Sequence, residues 1–211
     1  MKVTAFNGSP HKEGNTYHAL RAVCTRLEQA GIGTEIVWVG GSDVKACRGC
    51  SMCARNRDEK CVLAGDPVNE WIQKMKQSDG ILLGAPVHYS GIAAGMKAFL
   101  DRAFYVCGNN GGLLRHKVGA AVTAVRRSGG VATVDGLYHY LNYSEMLLPT
   151  GNYWNVIHGL KPGQAEEDDE GMQTLQVLGD NMAWLLKLKE YGQHAVPAPP
   201  PVKKVLTNFI R

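Results

Sequence analysis

The chain contains no run of about 18 apolar residues, so no segment reads as a hydrophobic helix that crosses a membrane. Its first residues lack the basic stretch, apolar core and small-residue cleavage site of a secretory signal, so a cytoplasmic location is expected. It lacks a basic groove with interleaved aromatics. The net charge is only +4, and adjacent cations are confined to Arg126-Arg127 and Lys203-Lys204. Nucleic acid is therefore not an expected partner. Internal repeats are absent, and His18, His116, His139, His158 and His194 show no metal-ligand spacing. Two nucleotide signatures are missing as well. The first glycine loop has no Gly-Lys-Ser/Thr ending, and Gly31-x-Gly33 lacks the third glycine of a dinucleotide fingerprint. The acidic pocket of a phospho-receiver domain is not found after the first strand.

What is present starts at the first residues, MKVTAFNGSPHKEGNTYHAL. A short apolar run, Val3 to Phe6, meets a loop of small and hydroxyl residues and then a helix from about Thr16. A buried strand, such a loop and a helix N-terminus with free N–H groups make a phosphate site. Gly8 and Gly14 permit close backbone approach. Ser9, Asn15 and Thr16 offer side-chain donors, and His11 and Lys12 can add charge.

The 211 residues are enough for one α/β domain with a sizeable core. Apolar periodicity predicts a helix over 16–30, ended by Gly31, and a strand over 34–39. Residues 40–65 have no clean period. Asp66-Pro67 is expected to cap and start a helix carrying Val68, Trp71, Ile72 and Met75 inward. Buried-type strands follow at 81–85, ended by Pro86, and at 117–125. Helices are expected from Ile92 to Phe104, over 131–146 and from about Glu166, with a weak strand near 153–157. The run EEDDE reads as a solvated first turn, and Trp71 and Trp184 read as core. Alternating strands and helices imply a doubly wound five-stranded parallel sheet with helices on both faces, in the order 2-1-3-4-5. The domain is expected to span 1–195, with the 40–65 excursion inside it. A proline-rich break then leads to an extended tail, 196–211.

In such a sheet ligands bind at the carboxyl ends of the strands. Three polar, glycine-bearing segments fall there: Asn7 to Thr16, Pro86 to Gly91, and Arg126 to Gly130. A ligand with its phosphate on the first helix and a flat ring between the other two loops fits them, and flavin mononucleotide (FMN) has that shape. Here the sequence resembles the NADPH-dependent FMN reductase branch of the flavodoxin-like superfamily. The resemblance rests on GSPHKEGNT, GAPVHYSGIAAGMKAFLDR, the glycines of RRSGG and the final TNFIR. It implies that Ser9, Lys12, Asn15 and Thr16 hold the phosphate. Pro86, Val87, His88, Tyr89, Ser90 and Gly91 would run along the flavin ring, and Arg126, Ser128, Gly129 and Gly130 would lie near its pyrimidine end. His88 stands where many relatives have tyrosine, so the stacking residue is either Tyr89 or neither of the two. Asp101-Arg102 resembles a common helix-ending pair and reads as structural. The resemblance also implies NAD(P)H as reductant and a homodimer or homotetramer.

Four of the six cysteines lie between 47 and 61, which in a cytoplasmic chain points to metal or redox chemistry rather than a disulfide framework. Cys47-x2-Cys50-x2-Cys53-x7-Cys61 resembles the motif of iron-sulfur flavoproteins, which implies a 4Fe-4S cluster. Its charge would be offset by Arg48, Arg55, Arg57 and Lys60. Structural zinc and unliganded thiols are the alternatives. Cys24 and Cys107 read as packing residues. The expected function is an FMN-dependent NAD(P)H oxidoreductase delivering electrons to a quinone, a flavin or an iron-sulfur acceptor, small molecule or protein. No side chain is assigned as catalytic, because the flavin carries the chemistry. A non-enzymatic electron carrier and a cysteine-based redox or metal sensor are the other two readings.

Overall fold

A computed structural model describes residues 1–207 and 209–210. Two residues of the TNFIR motif, Asn208 and Arg211, lie outside the described residues. The elements in order are β1 (Lys2–Asn7), α1 (Asn15–Gln29), β2 (Gly33–Trp38), α2 (Met52–Asn56), α3 (Val68–Gln77), β3 (Gly80–His88), β4 (Gly91–Ile92), α4 (Ala94–Asn109), β5 (Val118–Val125), α5 (Gly130–Tyr143), β6 (Val156–His158) and α6 (Asp169–Gly192). A single 3-10 turn, Gln164–Glu167, leads into α6.

The long strands form one parallel sheet in the order β2-β1-β3-β5-β6. With the two-residue β4 set aside, this is the expected 2-1-3-4-5 arrangement. β4 is a sixth strand that the pattern did not reveal, and it pairs antiparallel with the end of β3. The central strands β3 and β5 are buried almost throughout, as strands covered on both faces require. Val3, Ala5, Leu82, Val118, Ala120 and Val122 point to one face and pack with α1 and α6. Phe6, Ile81, Leu83, Ala85 and Ala121 point to the other and pack with α3, α4 and α5. Gly84 lets α1 lie against β3: a Cβ there would stand 2.8 Å from the Leu20 side chain.

Several element ends differ from expectation. Pro86 does not end β3, which runs on to His88. The β1–β3 pairing stops at Gly84, while Pro86 stands opposite Ala124 of β5. Proline therefore sits where β3 has lost one neighbour and its missing N–H breaks no ladder. Ile92 belongs to β4 rather than to the helix after it. Asp66 and Pro67 both precede α3, with Pro67 at the cap position. Trp184 is 64% exposed, not core, because the buried stripe of α6 runs through Gly171, Leu175, Leu178, Met182 and Leu186. Trp71 is buried as expected.

Candidate functional site

The parallel strands all deliver their carboxyl ends to one edge of the sheet, and the loop after β1 is held there by its own side chains. Asn7, fully buried, donates from Nδ2 to the Lys12 carbonyl (2.9 Å) and accepts the Ser9 N–H at Oδ1 (3.0 Å). The Ser9 hydroxyl accepts the His11 N–H (3.1 Å), which leaves its proton free to donate. From β2, the Trp38 indole donates to the Ser9 carbonyl (2.8 Å). Gly40 passes so close behind that carbonyl that an added Cβ would lie 2.0 Å from the oxygen. The loop's shape is thus fixed by Asn7, Trp38 and Gly40 before any ligand arrives.

α1 opens on Gly14, which supplies no side-chain cap, and there is no acidic residue in the first turn. The positive end of the helix and its unsatisfied N–H groups face outward from that edge. Thr16 is 1% exposed, and its hydroxyl makes no hydrogen bond among the described residues. His11 and Lys12 are exposed at the loop surface. Asn15 is partly engaged, because its Oδ1 accepts the Ala165 N–H (3.2 Å).

β3 and β4 form a tight hairpin over Pro86 to Gly91, closed by the Ser90 N–H to the His88 carbonyl (2.9 Å). Tyr89 at its tip has a left-handed backbone (φ 61°) and a wholly exposed ring, while His88 and Ser90 are exposed beside it. A non-glycine residue held in that conformation is a strain worth about 1–3 kcal/mol. After β5, Arg126, Arg127 and Ser128 are exposed and Gly129 caps α5 with φ 91°. The hairpin and this loop meet: a Cβ on Gly129 would lie 3.1 Å from Val87, while one on Gly130 would strike Val156 at 2.4 Å. Among the described residues neither Arg126 nor Arg127 has an ion-pair partner, so both place positive charge at the rim.

Two clefts open beside these loops on the β6 side. One, of about 680 Å³, is lined by Arg127 to Ala132 together with Tyr153, Trp154 and the start of α6. The other, of about 440 Å³, lies between Arg126, Arg127, His158 and Gly159. Neither reaches the loop after β1. The segment Gly159 to Asp168 closes over the start of α1 instead, through Asn15 and through His18 Nδ1 to Glu166 Oε1 (2.6 Å). No motif or periodicity pointed to that contact. The acidic run is also less uniform than a solvated turn, because Asp168 accepts the N–H of Gly171 (2.9 Å) and of His158 (2.7 Å).

The cysteine excursion holds one short helix, α2, flanked by left-handed residues at Gly49, Ser51, Arg57 and Glu59. Cys47 and Cys50 are exposed, Cys61 is half-buried and Cys53 is buried, and all four are free thiols. The turns bring all four onto one narrow cavity. Among the described residues no set of three or more His, Cys, Asp or Glu could hold a single metal ion. Burial is the main influence raising the Cys53 thiol pKa, with the neighbouring Cys61 and Cys47 adding to it. Arg55, Arg57 and Lys60 are exposed. Sequence reasoning missed the cation that does reach a sulfur: Arg102 of α4 donates from Nε to Cys61 Sγ (3.4 Å). Asp101-Arg102 also lies in the middle of α4, not at its end.

Comparison with known proteins agrees with this geometry. Residues 1–161 match the family described as NADPH-dependent FMN reductase. The chain is 35% identical over 195 residues to an iron-sulfur flavoprotein of Methanocaldococcus jannaschii, covering 89% of this chain and 98% of that one. Among solved structures, RosB with a bound 8-demethyl-8-formylriboflavin-5'-phosphate intermediate superposes with a TM-score of 0.71 at 14% identity, over 100% of this chain and 92% of that one. A flavodoxin-type WrbA-like protein of Agrobacterium tumefaciens gives 0.61 at 14% identity, over 89% and 97%. The fold is flavodoxin-like.

Proposed function

As a member of the NADPH-dependent FMN reductase family, the chain is, we propose, an FMN-binding oxidoreductase that takes its electrons from NAD(P)H, with Cys47, Cys50, Cys53 and Cys61 as the residues that would hold an iron-sulfur cluster. The observation that carries the flavin half is the start of α1. It is uncapped, free of acidic residues and fronted by the buried hydroxyls of Ser9 and Thr16, a donor set that matches a phosphate dianion. When bound, FMN supplies the chemistry: two electrons enter as hydride and leave to a quinone, a flavin or an iron-sulfur acceptor.

The chain's residues orient and polarise. Ser9, Asn15 through its amide nitrogen, Thr16 and Lys12 hold the phosphate, with His11 beside them. The hairpin from Pro86 to Gly91 supports one edge of the ring, with Tyr89 displayed for stacking. Arg126, Ser128 and the N–H groups after Gly129 would lie near the pyrimidine end of the ring, where cationic and N–H donors would stabilise added negative charge. No side chain is assigned as a proton donor.

The cluster half rests on four free thiols that line a shared cavity. Four thiolates on one cavity are a donor set that would hold an iron-sulfur cluster. A groove of about 590 Å³, lined by Cys47, Phe104, Tyr105, Tyr140 and Tyr143, borders it. This aromatic surface and the C-terminal tail support association into a homodimer or homotetramer, in which the thiols of one subunit approach the flavin of another. The acceptor is then a small molecule or a protein electron carrier.

The test is an anaerobic visible spectrum of freshly purified protein, with iron and acid-labile sulfide assayed on the same sample. Flavin bands with about four irons per chain are expected for a cubane cluster. Flavin bands without iron reduce the reading to a simple FMN reductase. A protein that takes up no FMN overturns it.

A further inference from the structure

The buried cation beside the thiols stands on α4 and makes four hydrogen bonds across to the excursion and its end. Arg102 is 1% exposed and reaches residues 36 to 57 positions away in sequence. Nη1 donates to the Lys45 carbonyl (3.2 Å) and to Asp66 Oδ2, Nη2 to the Leu63 carbonyl (3.1 Å), and Nε to Cys61 Sγ (3.4 Å). Lys45 precedes the first cysteine of the group, and Leu63 and Asp66 follow the last. One guanidinium therefore closes the neck of the loop carrying all four thiols and turns its remaining edge toward a sulfur. Asp66, with its side chain only 1% exposed, also accepts the N–H groups of Lys45 and Val68 (both 3.3 Å), so the anion is tied to the same neck.

A buried ion pair is a poor stabiliser compared with apolar packing of the same size. A loop neck could be closed by leucine or methionine. What only arginine offers is a planar fork that binds three oxygens and still presents an N–H to sulfur. A charge-assisted N–H donor favours the thiolate over the thiol, and favours the more negative, reduced state of any cluster bound through it. We propose that Arg102 is a positioning residue of the cysteine site: it fixes the ring of thiols and sets the electrostatic environment of Cys61, with Asp66 moderating its charge. The proposal rests on the cluster reading above and goes beyond it by assigning the residue that tunes the site.

The experiment compares wild type, Arg102→Gln, Arg102→Lys and Asp66→Asn. Each is measured for thermal midpoint, FMN content, iron and sulfide content, and the cluster midpoint potential by anaerobic spectroelectrochemistry. Arg102→Gln is expected to lower the potential and Asp66→Asn to raise it, with FMN content unchanged in both. Arg102→Lys keeps the charge without the fork, and should retain more iron than Arg102→Gln. If Arg102→Gln loses its iron while keeping its flavin and its melting point, the positioning role is supported, and the sign in Asp66→Asn tests the charge role. Equal potentials in all loaded proteins, or shifts of the same sign in both charge variants, overturn the proposal. Wild type that carries no iron or sulfide overturns the cluster reading itself, an outcome distinct from a loaded wild type whose variants do not shift.

Discussion

At the scale of single residues, burial separates the six thiols into two kinds. Cys24 and Cys107 are fully packed, and burial pushes their thiols up to about 11 and about 12. At neutral pH they carry almost no thiolate and are closed to reagents. Cys47 and Cys50 are exposed. In iron-free protein, alkylation followed by peptide mass analysis is therefore expected to label Cys47 and Cys50 first, with Cys24 and Cys107 reacting only after denaturation. Early labelling of Cys24 would contradict its place in the α1 core. Asp168 gives a pH-dependent case. Burial opposes its ionisation, but the N–H groups of Gly171 and His158 and the His158 ring outweigh it and hold the carboxyl below the usual range. A depressed pKa contributes stability that is complete above the unfolded carboxylate value and is lost as pH falls through the folded one. Asp168→Ala removes the cap of α6, at a cost of about 1 kcal/mol near neutral pH. Urea midpoints for variant and wild type should differ near pH 7 and converge in acid; a gap that persists in acid would show that the carboxylate charge is not what matters.

At the scale of elements, the loop after β1 is shaped by β2 as much as by its own residues. The Ser9 carbonyl lies between the Trp38 indole and Gly40, so its neighbour's N–H and hydroxyl are aimed by a strand end that is distant in sequence. Gly40→Ala puts a methyl 2.0 Å from a backbone oxygen, and the loop must move. FMN affinity is expected to fall by tenfold or more, about 1.4 kcal/mol, with the far-ultraviolet spectrum retained. Unchanged affinity would mean that the phosphate does not use this loop. Trp38 and Gly40 were not legible as site residues because their role depends on β1 and β2 pairing in register. The strands β1, β3 and β5 were legible because burial on both faces leaves a nearly continuous apolar run, and α1 because its stripe and Gly31 agree. Pro86 misled at the end of β3, since a proline's effect there depends on whether a neighbouring strand is still paired. β4 was too short to show a period. Arg102 was visible only as half of a helix-ending pair read as structural, and its meaning came from residues 45 to 66 folding over it.

At the scale of the whole molecule, no helix among the described residues is long and apolar enough to cross a membrane, yet the C-terminal tail displays a row of apolar side chains. Val202, Val205, Leu206 and Phe209 are each more than 80% exposed. The tail is anchored at its start, where Arg115 donates to the carbonyls of Pro199 (2.9 Å) and Pro200 (3.4 Å). Further on, Lys204 lies 4.4 Å from the Tyr143 ring centroid and donates to its hydroxyl. Those contacts bring it to α5, beside the aromatic groove that borders Cys47. Prolines at 197, 199, 200 and 201 favour an extended backbone where the tail leaves α6. Burying four such side chains against a second subunit is favourable by about 1.5–3 kcal/mol each before the cost of ordering the tail. Light scattering of the purified chain is accordingly expected to give a dimer or tetramer, and deletion of residues 202–211 to shift it toward smaller species with FMN still bound. If the deleted chain keeps its oligomeric state, the helical faces of α4 and α5 carry the association without the tail. If the intact chain is a flavin-bearing monomer, the proposed approach of one subunit's thiols to another subunit's flavin is overturned.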